Sequence, residues 1–489
     1  MTKEKAFPIK IGLEVHGYLD TSEKLFCMCA ARSVEGSDVR GQMSDVNSRV
    51  CPICTGQPGS KPMAVNGEAV RKVVQIASIF GSKINMDKLV WQRKHYSWAD
   101  LPKGYQTTLS GAHATTNATG GKFRGINITE LHLEEDPAQW NPDTGRIDYN
   151  RSGLPLVEIV TEPEFSDSEQ VVEWLKSLVL SLSYVQAVRK NAGIKVDVNV
   201  STYGERVEMK NLNSLEKIRK AIDYEIARQI EAHDAGEVQK RETLAFDEKT
   251  GKTIKMRSKE DAADYRFIPD PDLPEIVISK AMISEVKAEM PEMPSVKLDR
   301  LLKKYKVSPE DARILTRNLE LVEFFEELVE MGEGKISTRM NTDEHGSSNK
   351  GMDVKKMMPW ITVELLRVLN YNKKTLEDGD VDVRPAHLAE LIGAVDSGKI
   401  TKLKGKQIMN DFVPKSFSLS KHKAEIGSID EAAVENLCKQ VIDENAHVVD
   451  EFRNGKLASL NYLIGQVMRL SERRADFVKA KKCLVRLIG

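Results

Sequence analysis

Four cysteines stand in two close pairs. Cys27 and Cys29 are followed, after 21 intervening residues, by Cys51 and Cys54, with Gly56 just beyond. Paired thiols joined by one long loop have the spacing of a tetrahedral zinc site, and four thiolates leave no open position for water, so such a zinc is structural. The bland alternative is four incidental buried thiols. A second group is carboxylates set among aliphatic residues: Glu14 beside His16 in IGLEVHGYL, Glu134 and Glu135 in LHLEED, Glu158 in PLVEIVTEPE, Asp197 in VDVNVS and Glu208 in VEMKNLNS. A carboxylate inside an apolar run needs a cation or a donor. Mg²⁺ prefers oxygen ligands and keeps waters and substrate phosphates, and with a lysine nearby it meets the needs of phosphoryl transfer. Lys94 in WQRKHYSWADLPKGYQ is the first candidate for that lysine, and Lys103 the second. The alternative is a set of separate surface salt bridges, each worth at most about 1 kcal/mol.

Strands must position these groups. Ile9, Ile11, Leu13 and Val15 alternate with Lys10, Gly12, Glu14 and His16, so period two places Glu14 and His16 on one sheet face. Val196, Val198 and Val200 alternate with Asp197, Asn199 and Ser201. A turn near Tyr203-Gly204 predicts a hairpin bringing Asp197, Asn199, Glu208 and Lys210 to one polar face. The alternation slips between Ile128 and Leu131, which predicts a bulge that re-aims the acids after it.

Composition bounds the rest. The chain has 489 residues, 72 Lys+Arg against 73 Asp+Glu and a net charge of −1. That excludes a globally basic nucleic-acid coat and wholesale disorder, and the length predicts two to four domains. No run approaches the ~18–20 apolar residues of a membrane span, and the N-terminal stretch lacks the apolar region of a signal peptide. Six cysteines make no disulfide framework; Cys438 and Cys483 read as packed or surface thiols. Together these predict a cytoplasmic protein. There is no P-loop, no G-x-G-x-x-G, no H-E-x-x-H, no G-x-S-x-G and no amidase-type Ser/Gly-rich stretch.

Texture changes at Met290, where MPEMPSV opens a helical, charge-rich region. Ser308-Pro309-Glu310-Asp311 predicts a helix start, LVEFFEELVEM a helix, 332–353 a long loop, and Asp380 to Phe412 two short helices. A second boundary is expected near Ser416–Lys423. From Glu451 to Gly489 nine basic residues face three acids, a net +6. Arg469, Arg473, Arg474 and Lys479 in this basic helical tail are candidates to grip RNA phosphates, against the alternative of a solvated helix face.

At this point the residues resemble a known family. IGLEVHGYL, TSEKLFC, CPICTGQPGSKP, RKHYSWADLPKGYQ, LHLEED, NRSGLPLVEIVTEP, DVNVS, EMKNLNS, MRSKEDAADYRFIPDPDLP and GKLASLNYLIGQVM occur in one order. Over nearly the whole chain they resemble the GatB/GatE family, most closely its GatB-type members from aspartyl/glutamyl-tRNA amidotransferase. The resemblance implies an α+β fold: a mixed, mainly antiparallel cradle domain at 1–292 with a zinc knuckle at 27–54, an all-α helical domain at 293–420 and a small YqeY-like tRNA-binding tail at 421–489. It implies ATP-dependent activation of the side-chain carboxylate of mischarged Asp-tRNA(Asn) or Glu-tRNA(Gln) as an acyl phosphate. Ammonia then displaces the phosphate, delivered from a GatA-type amidase subunit held by a small GatC-type subunit.

Carried over residue by residue, the family's metal and kinase positions are Glu14, His16, Lys94, Glu134, Glu135, Glu158, Asp197 and Glu208. His16, Glu135 and Glu158 are expected nearest Mg²⁺. Glu14, Glu134, Asp197 and Glu208 are expected along the ammonia exit, a second cation site and the phosphates. The implied cofactors are ATP, Mg²⁺ and structural Zn²⁺. Two places depart from the family: Ala192-Gly193-Ile194-Lys195 puts Lys195 where an arginine is expected, which weakens a bidentate contact, and 332–353 follows the pattern poorly. The rival expectations are a GatE-type subunit specific for Glu-tRNA(Gln) and a non-catalytic tRNA-binding scaffold.

Overall fold

The computed structural model describes residues 8–31, 45–96, 98–189, 193–258, 265–332, 353–422 and 429–489. Contacts divide the chain into two units, Met1–Met293 and Pro294–Gly489.

The first unit is α+β. Its strands are β1 (Lys10–Tyr18), β2 (Lys83–Ile84), β3 (Gln92–His95), β4 (Gln106–Thr108), β5 (Ala118–Thr119), β6 (Lys122–Phe123), β7 (Ile126–Glu135), β8 (Gln139–Trp140), β9 (Ile147–Asp148), β10 (Pro155–Thr161), β11 (Ile194–Ser201), β12 (Val207–Leu212), β13 (Glu242–Asp247), β14 (Lys252–Ser258) and β15 (Arg266–Pro269). The long path of the sheet runs β14-β13-β12-β11-β1-β10-β7-β4-β3-β15. Among the described residues its pairs are antiparallel except β12 with β13.

One face of this sheet is apolar. Ile11, Leu13 and Val15 lie there with Leu131, Leu133, Val157, Ile159, Val196, Val198 and Met209, all buried. Helices α1 (Gly67–Phe80), α2 (Ser168–Tyr184) and α3 (Leu215–Asp234) supply Val70, Val73, Trp174, Leu175, Ile218 and Ile222 to the same core. Their starts follow from caps: Asn66, Asp167 and Ser214 each accept a backbone N–H of the first turn. Each fully buried aliphatic side chain contributes about 1.5–3 kcal/mol, so alternation forces the charged residues of these strands onto the opposite face.

Two bulges set the parity of that polar face. Val160 pairs with Glu130 while Thr161 pairs with Ile128, leaving Thr129 as the extra residue. Before it Ile126 and Ile128 are buried; after it Leu131 and Leu133 are, and Glu130, His132 and Glu134 come to the polar side. The expected slip between Ile128 and Leu131 is this bulge. On β12 the pairing jumps from Val198–Met209 to Val196–Leu212, and Asn211 adopts a positive φ of 59°.

The second unit is helical. Ser308 caps Pro309–Leu315 by accepting from Asp311 N–H, Leu319–Gly332 follows, and Pro385–Asp396 and Lys402–Asn410 are the two short helices expected before Phe412. The loop expected at 332–353 lies almost wholly outside the described residues, as do Ala192 and the end of the expected second boundary at 423. Glu431–Glu444, Ala446–Arg453, Ala458–Leu470 and Phe477–Ile488 enclose a core of their own, with Cys438, Val441, Leu463, Val467 and Leu484 at its centre. Among the described residues no helix is long and apolar enough to cross a membrane.

Candidate active site

The polar face is assembled across the sheet by register. His16 pairs with Glu158 on one side and Lys195 on the other; Glu158 pairs with His132; Glu14 pairs with Asp197; Asn199 pairs with Glu208. Directly paired residues project to the same side, so four consecutive strand pairings bring these groups together. The hairpin expected from the alternation of β11 and β12 therefore forms as read.

Two clusters result. In the first, His16 Nδ1 lies 3.6 Å from Glu134 Oε1 and 4.0 Å from Glu158 Oε2, and one donor atom from each residue lies within 4.8 Å of the others. Octahedral Mg²⁺ with bonds of about 2.1 Å spaces adjacent donors at roughly 3.0 Å and opposite donors at roughly 4.2 Å, so this set fits the ion with small closure. The third ligand expected from the resemblance was Glu135. Adjacent strand residues point to opposite sides, and Glu135 instead meets Lys103 Nζ, at 2.5 Å. The structure thus groups Glu134, not Glu135, with His16 and Glu158.

Burial disfavours charge throughout this cluster, but ion pairing overrides it. The hydrogen bond to Glu134 and the charge of Glu158 push His16 up to about 9. His132 is buried, with Nε2 3.2 Å from Glu158 Oε2 and Nδ1 3.4 Å from Glu130 Oε1; against burial, Glu158 and Glu130 push it up to about 10. For Glu158, burial works to raise the carboxyl, and His132, His16 and Lys94 outweigh it, holding the group well below the usual carboxylate range. Sequence reasoning treated His132 only as a neighbour of the acids. Its even position, shared with Glu134 beyond the bulge, was the signal available.

The second cluster is Glu14, Asp197 and Glu208, again with donor atoms within 4.8 Å of one another. Lys210 Nζ lies inside it, donating to Asp197 Oδ2 at 2.9 Å and pairing with Glu208 Oε1 at 2.8 Å. Asn211 N–H donates to Asp197 Oδ1 at 2.7 Å, which is what the β12 bulge achieves. Asn199 donates to Glu14 Oε1 at 3.1 Å and Thr243 to Glu208 Oε2 at 3.2 Å. Burial, then the neighbouring Glu158 and Glu208 charges, raise Glu14. Lys210 entered the sequence reading as part of the polar face and not as a site residue; its place between two acids makes it the internal cation of this cluster.

The lysines divide between two surroundings. Lys94 follows Gln92 by two residues; Gln92 pairs with Thr108, and Thr108 with Glu134, so Lys94 belongs to the face of the first cluster. Its Nζ lies 4.7 Å from the Tyr265 ring centre. Lys103 is on the other side, between Glu135 and Thr107. Lys195 donates to the Tyr18 hydroxyl at 3.1 Å, and that hydroxyl donates to Asp136 Oδ2 at 2.8 Å. Burial lowers Lys195, while burial raises Asp136 to about 6.

The four cysteine sulfurs also converge within 4.8 Å, with Cys51 Sγ and Cys54 Sγ 3.9 Å apart. Zn–S bonds of about 2.3 Å in a tetrahedron place sulfurs roughly 3.8 Å apart, so the residues fit the metal. The Cys27 hydrogen bond is the main influence drawing Cys54 down to about 5, and it correspondingly raises Cys27; burial raises Cys29 to about 11.

In the tail, Arg469 and Arg473 are exposed, Arg474 is half-buried and donates to Ser471 O, and Lys479 pairs with Glu431 at 2.8 Å. Of the four candidates for phosphate contact, Arg469 and Arg473 keep their charge most open to a ligand.

A mainly antiparallel sheet with helices on one side and a carboxylate-rich surface on the other, followed by a helical unit, defines an α+β cradle protein. The profile of the GatB/GatE catalytic domain matches residues 9–284, and that of the GatB domain matches residues 346–488. The chain is 39% identical over 479 residues to the B component of the aspartyl/glutamyl-tRNA(Asn/Gln) amidotransferase of Methanocaldococcus jannaschii, covering 96% of this chain and 95% of that one. It is 37% identical over 473 residues to the protein of the same name from Methanopyrus kandleri, with 96% of each covered. The Methanosphaera stadtmanae counterpart is 35% identical over 480 residues, with 97% and 98% covered. The chain belongs to the GatB/GatE family.

Proposed function

We propose that the protein is the kinase and transamidase component of a tRNA-dependent amidotransferase. It converts mischarged Asp-tRNA(Asn), Glu-tRNA(Gln) or both to the amidated forms with ATP, using ammonia from a GatA-type amidase subunit joined through a GatC-type small subunit, in the cytoplasm. The observation that carries this reading is the convergence of His16, Glu134 and Glu158 from three strands, beside Glu14, Asp197 and Glu208, on one open sheet face. The relatives named above carry the matching substrates in their names. Nothing in the fold or the comparisons favours the GatE-type or scaffold reading.

Glu134 and Glu158, with His16 once its imidazole gives up its proton, would hold Mg²⁺, which when bound draws in phosphate oxygens and offsets their charge. Lys94 faces the same side and neutralises charge on the transferred phosphoryl group. Lys195 anchors that region through Tyr18. In this reading the acids of the second cluster line the ammonia exit, and a carboxylate there accepts a proton from ammonium, since only NH₃ attacks the acyl phosphate. The four cysteines hold structural Zn²⁺. Domain limits of 1–292, 293–420 and 421–489 are proposed with this reading; the separate core at 434–488 supports the last.

The test is the reconstituted three-subunit complex with each mischarged tRNA: ATP consumption should depend on mischarged tRNA, and amide product should appear on it. ATP turnover indifferent to the tRNA would overturn the assignment. In the same assay, reversing Arg473 and Arg474 to Glu should raise KM for charged tRNA about tenfold and reduce its salt dependence, with glutamine hydrolysis unchanged, because phosphate contacts carry the affinity. An unaltered KM would remove the tail from tRNA binding.

A further inference from the structure

Lys24 is 1% exposed, and its Nζ donates to Cys54 Sγ at 3.5 Å and to Tyr149 O at 3.1 Å. The Tyr149 carbonyl satisfies one N–H of this buried ammonium, and a negatively charged Cys54 sulfur would offset its charge. The knuckle also meets the Lys103 segment from two sides. Gly56, at φ 65°, presses so close to Pro102 that a Cβ would stand 2.3 Å from Pro102 O. Phe26, next to Cys27, presents its ring 5.7 Å from Lys103 Nζ. A Cβ on Gly153 would touch Lys24 Cδ at 3.4 Å, Cys54 Cβ at 3.5 Å and Glu135 Oε1 at 3.7 Å, so these three groups close on one point. Ser152 fastens that point by donating to Cys54 O at 2.7 Å.

We propose that Lys24 is a positioning residue that donates an N–H···S bond to the metal-bound Cys54 thiolate, and that the loaded knuckle, through Gly56, Phe26 and Gly153, sets the position of the Lys103–Glu135 pair. Four thiolates around Zn²⁺ leave a net charge of −2 on the centre. Lys24 Nζ and the Cys51 N–H, 3.2 Å from Cys54 Sγ, reduce it. Groups in this outer position typically govern metal affinity by 10–100-fold. The proposal rests on the zinc reading of the four cysteines and is independent of the amidation chemistry.

The experiment uses the full chain loaded with Zn²⁺ or Co²⁺. Lys24→Met should release zinc to a chelator on the order of 10–100-fold faster and shift the sulfur-to-cobalt charge-transfer band, and Lys24→Arg should restore much of both. Wild-type release and an unshifted band in Lys24→Met would overturn the role of Lys24. In the unsubstituted protein, stripping zinc should raise acylation of Lys103 by an amine reagent several-fold, read by peptide mass mapping, with exposed Lys481 unchanged. Equal labelling of Lys103 with and without zinc would overturn the positioning. Failure of the chain to take up either metal would sink the zinc reading, and this inference with it, while leaving the amidation assay untouched.

Discussion

Glu158→Gln is expected to lower amide formation on the order of 10³-fold, about 4 kcal/mol of transition-state stabilisation, with glutamine hydrolysis in the partner retained. Glutamine fills the same volume, so the packing of β10 between β1 and β7 survives and thermal unfolding should shift by only a few degrees. What is lost is the charge. Glu158 is the one carboxylate of the first cluster that touches both histidines, at 4.0 Å from His16 and 3.2 Å from His132. It also draws on Lys94 for its low affinity for protons. Without it the two imidazoles lose a partner that raises them, and the proposed Mg²⁺ site falls to one charged ligand. High Mg²⁺ should therefore recover part of the rate. Near wild-type amidation in steady-state assays of the complex would show that this cluster does not hold the activating metal.

Most of this face was legible because strand period two is a strict geometric rule. Glu14 with His16, and Asp197 with Asn199, are placed by alternation alone, and the slip after Ile128 pointed to the bulge that brings Glu134 round. Parity is also where the reading and the geometry part. Glu134 and Glu135 are chemically alike and adjacent, and the family pattern does not say which side each takes. Only the bulge at Thr129 decides that Glu134 joins His16 and Glu135 turns to Lys103. Lys210 was placed on this face by the same alternation; what stayed hidden is that Asn211 takes a left-handed conformation and turns its N–H to Asp197, a backbone event that asparagine permits but does not announce. Lys24 was hidden for another reason: a lysine in TSEKLFC reads as a surface residue, and its burial follows from the loop at Gly153 closing over it, a contact between segments more than a hundred residues apart.

Lys210→Met tests the second cluster in a way that no acid substitution does. Removing an acid there leaves an ammonium with one fewer partner; removing the ammonium leaves Glu14, Asp197 and Glu208 facing one another within 4.8 Å. Breaking a buried pair from one side costs about 3–5 kcal/mol. Lys210 is 27% exposed, so solvent screening reduces this to roughly 2 kcal/mol. For a unit of this size that is a fall in Tm of about 4–8 °C. The freed carboxylates then form a site for a hard divalent cation. Millimolar Mg²⁺ or Ca²⁺ should raise the Tm of the variant more than that of the wild type, and amide formation should fall while tRNA-dependent ATP consumption persists. That separation follows from the proposed division of the face, in which the first cluster would serve the phosphoryl group and the second, with its own internal cation, would serve ammonia. Calorimetry with and without the ion checks the first half, and paired product assays check the second. A variant as stable as the wild type and indifferent to divalent ions would show that Lys210 is not what balances these acids.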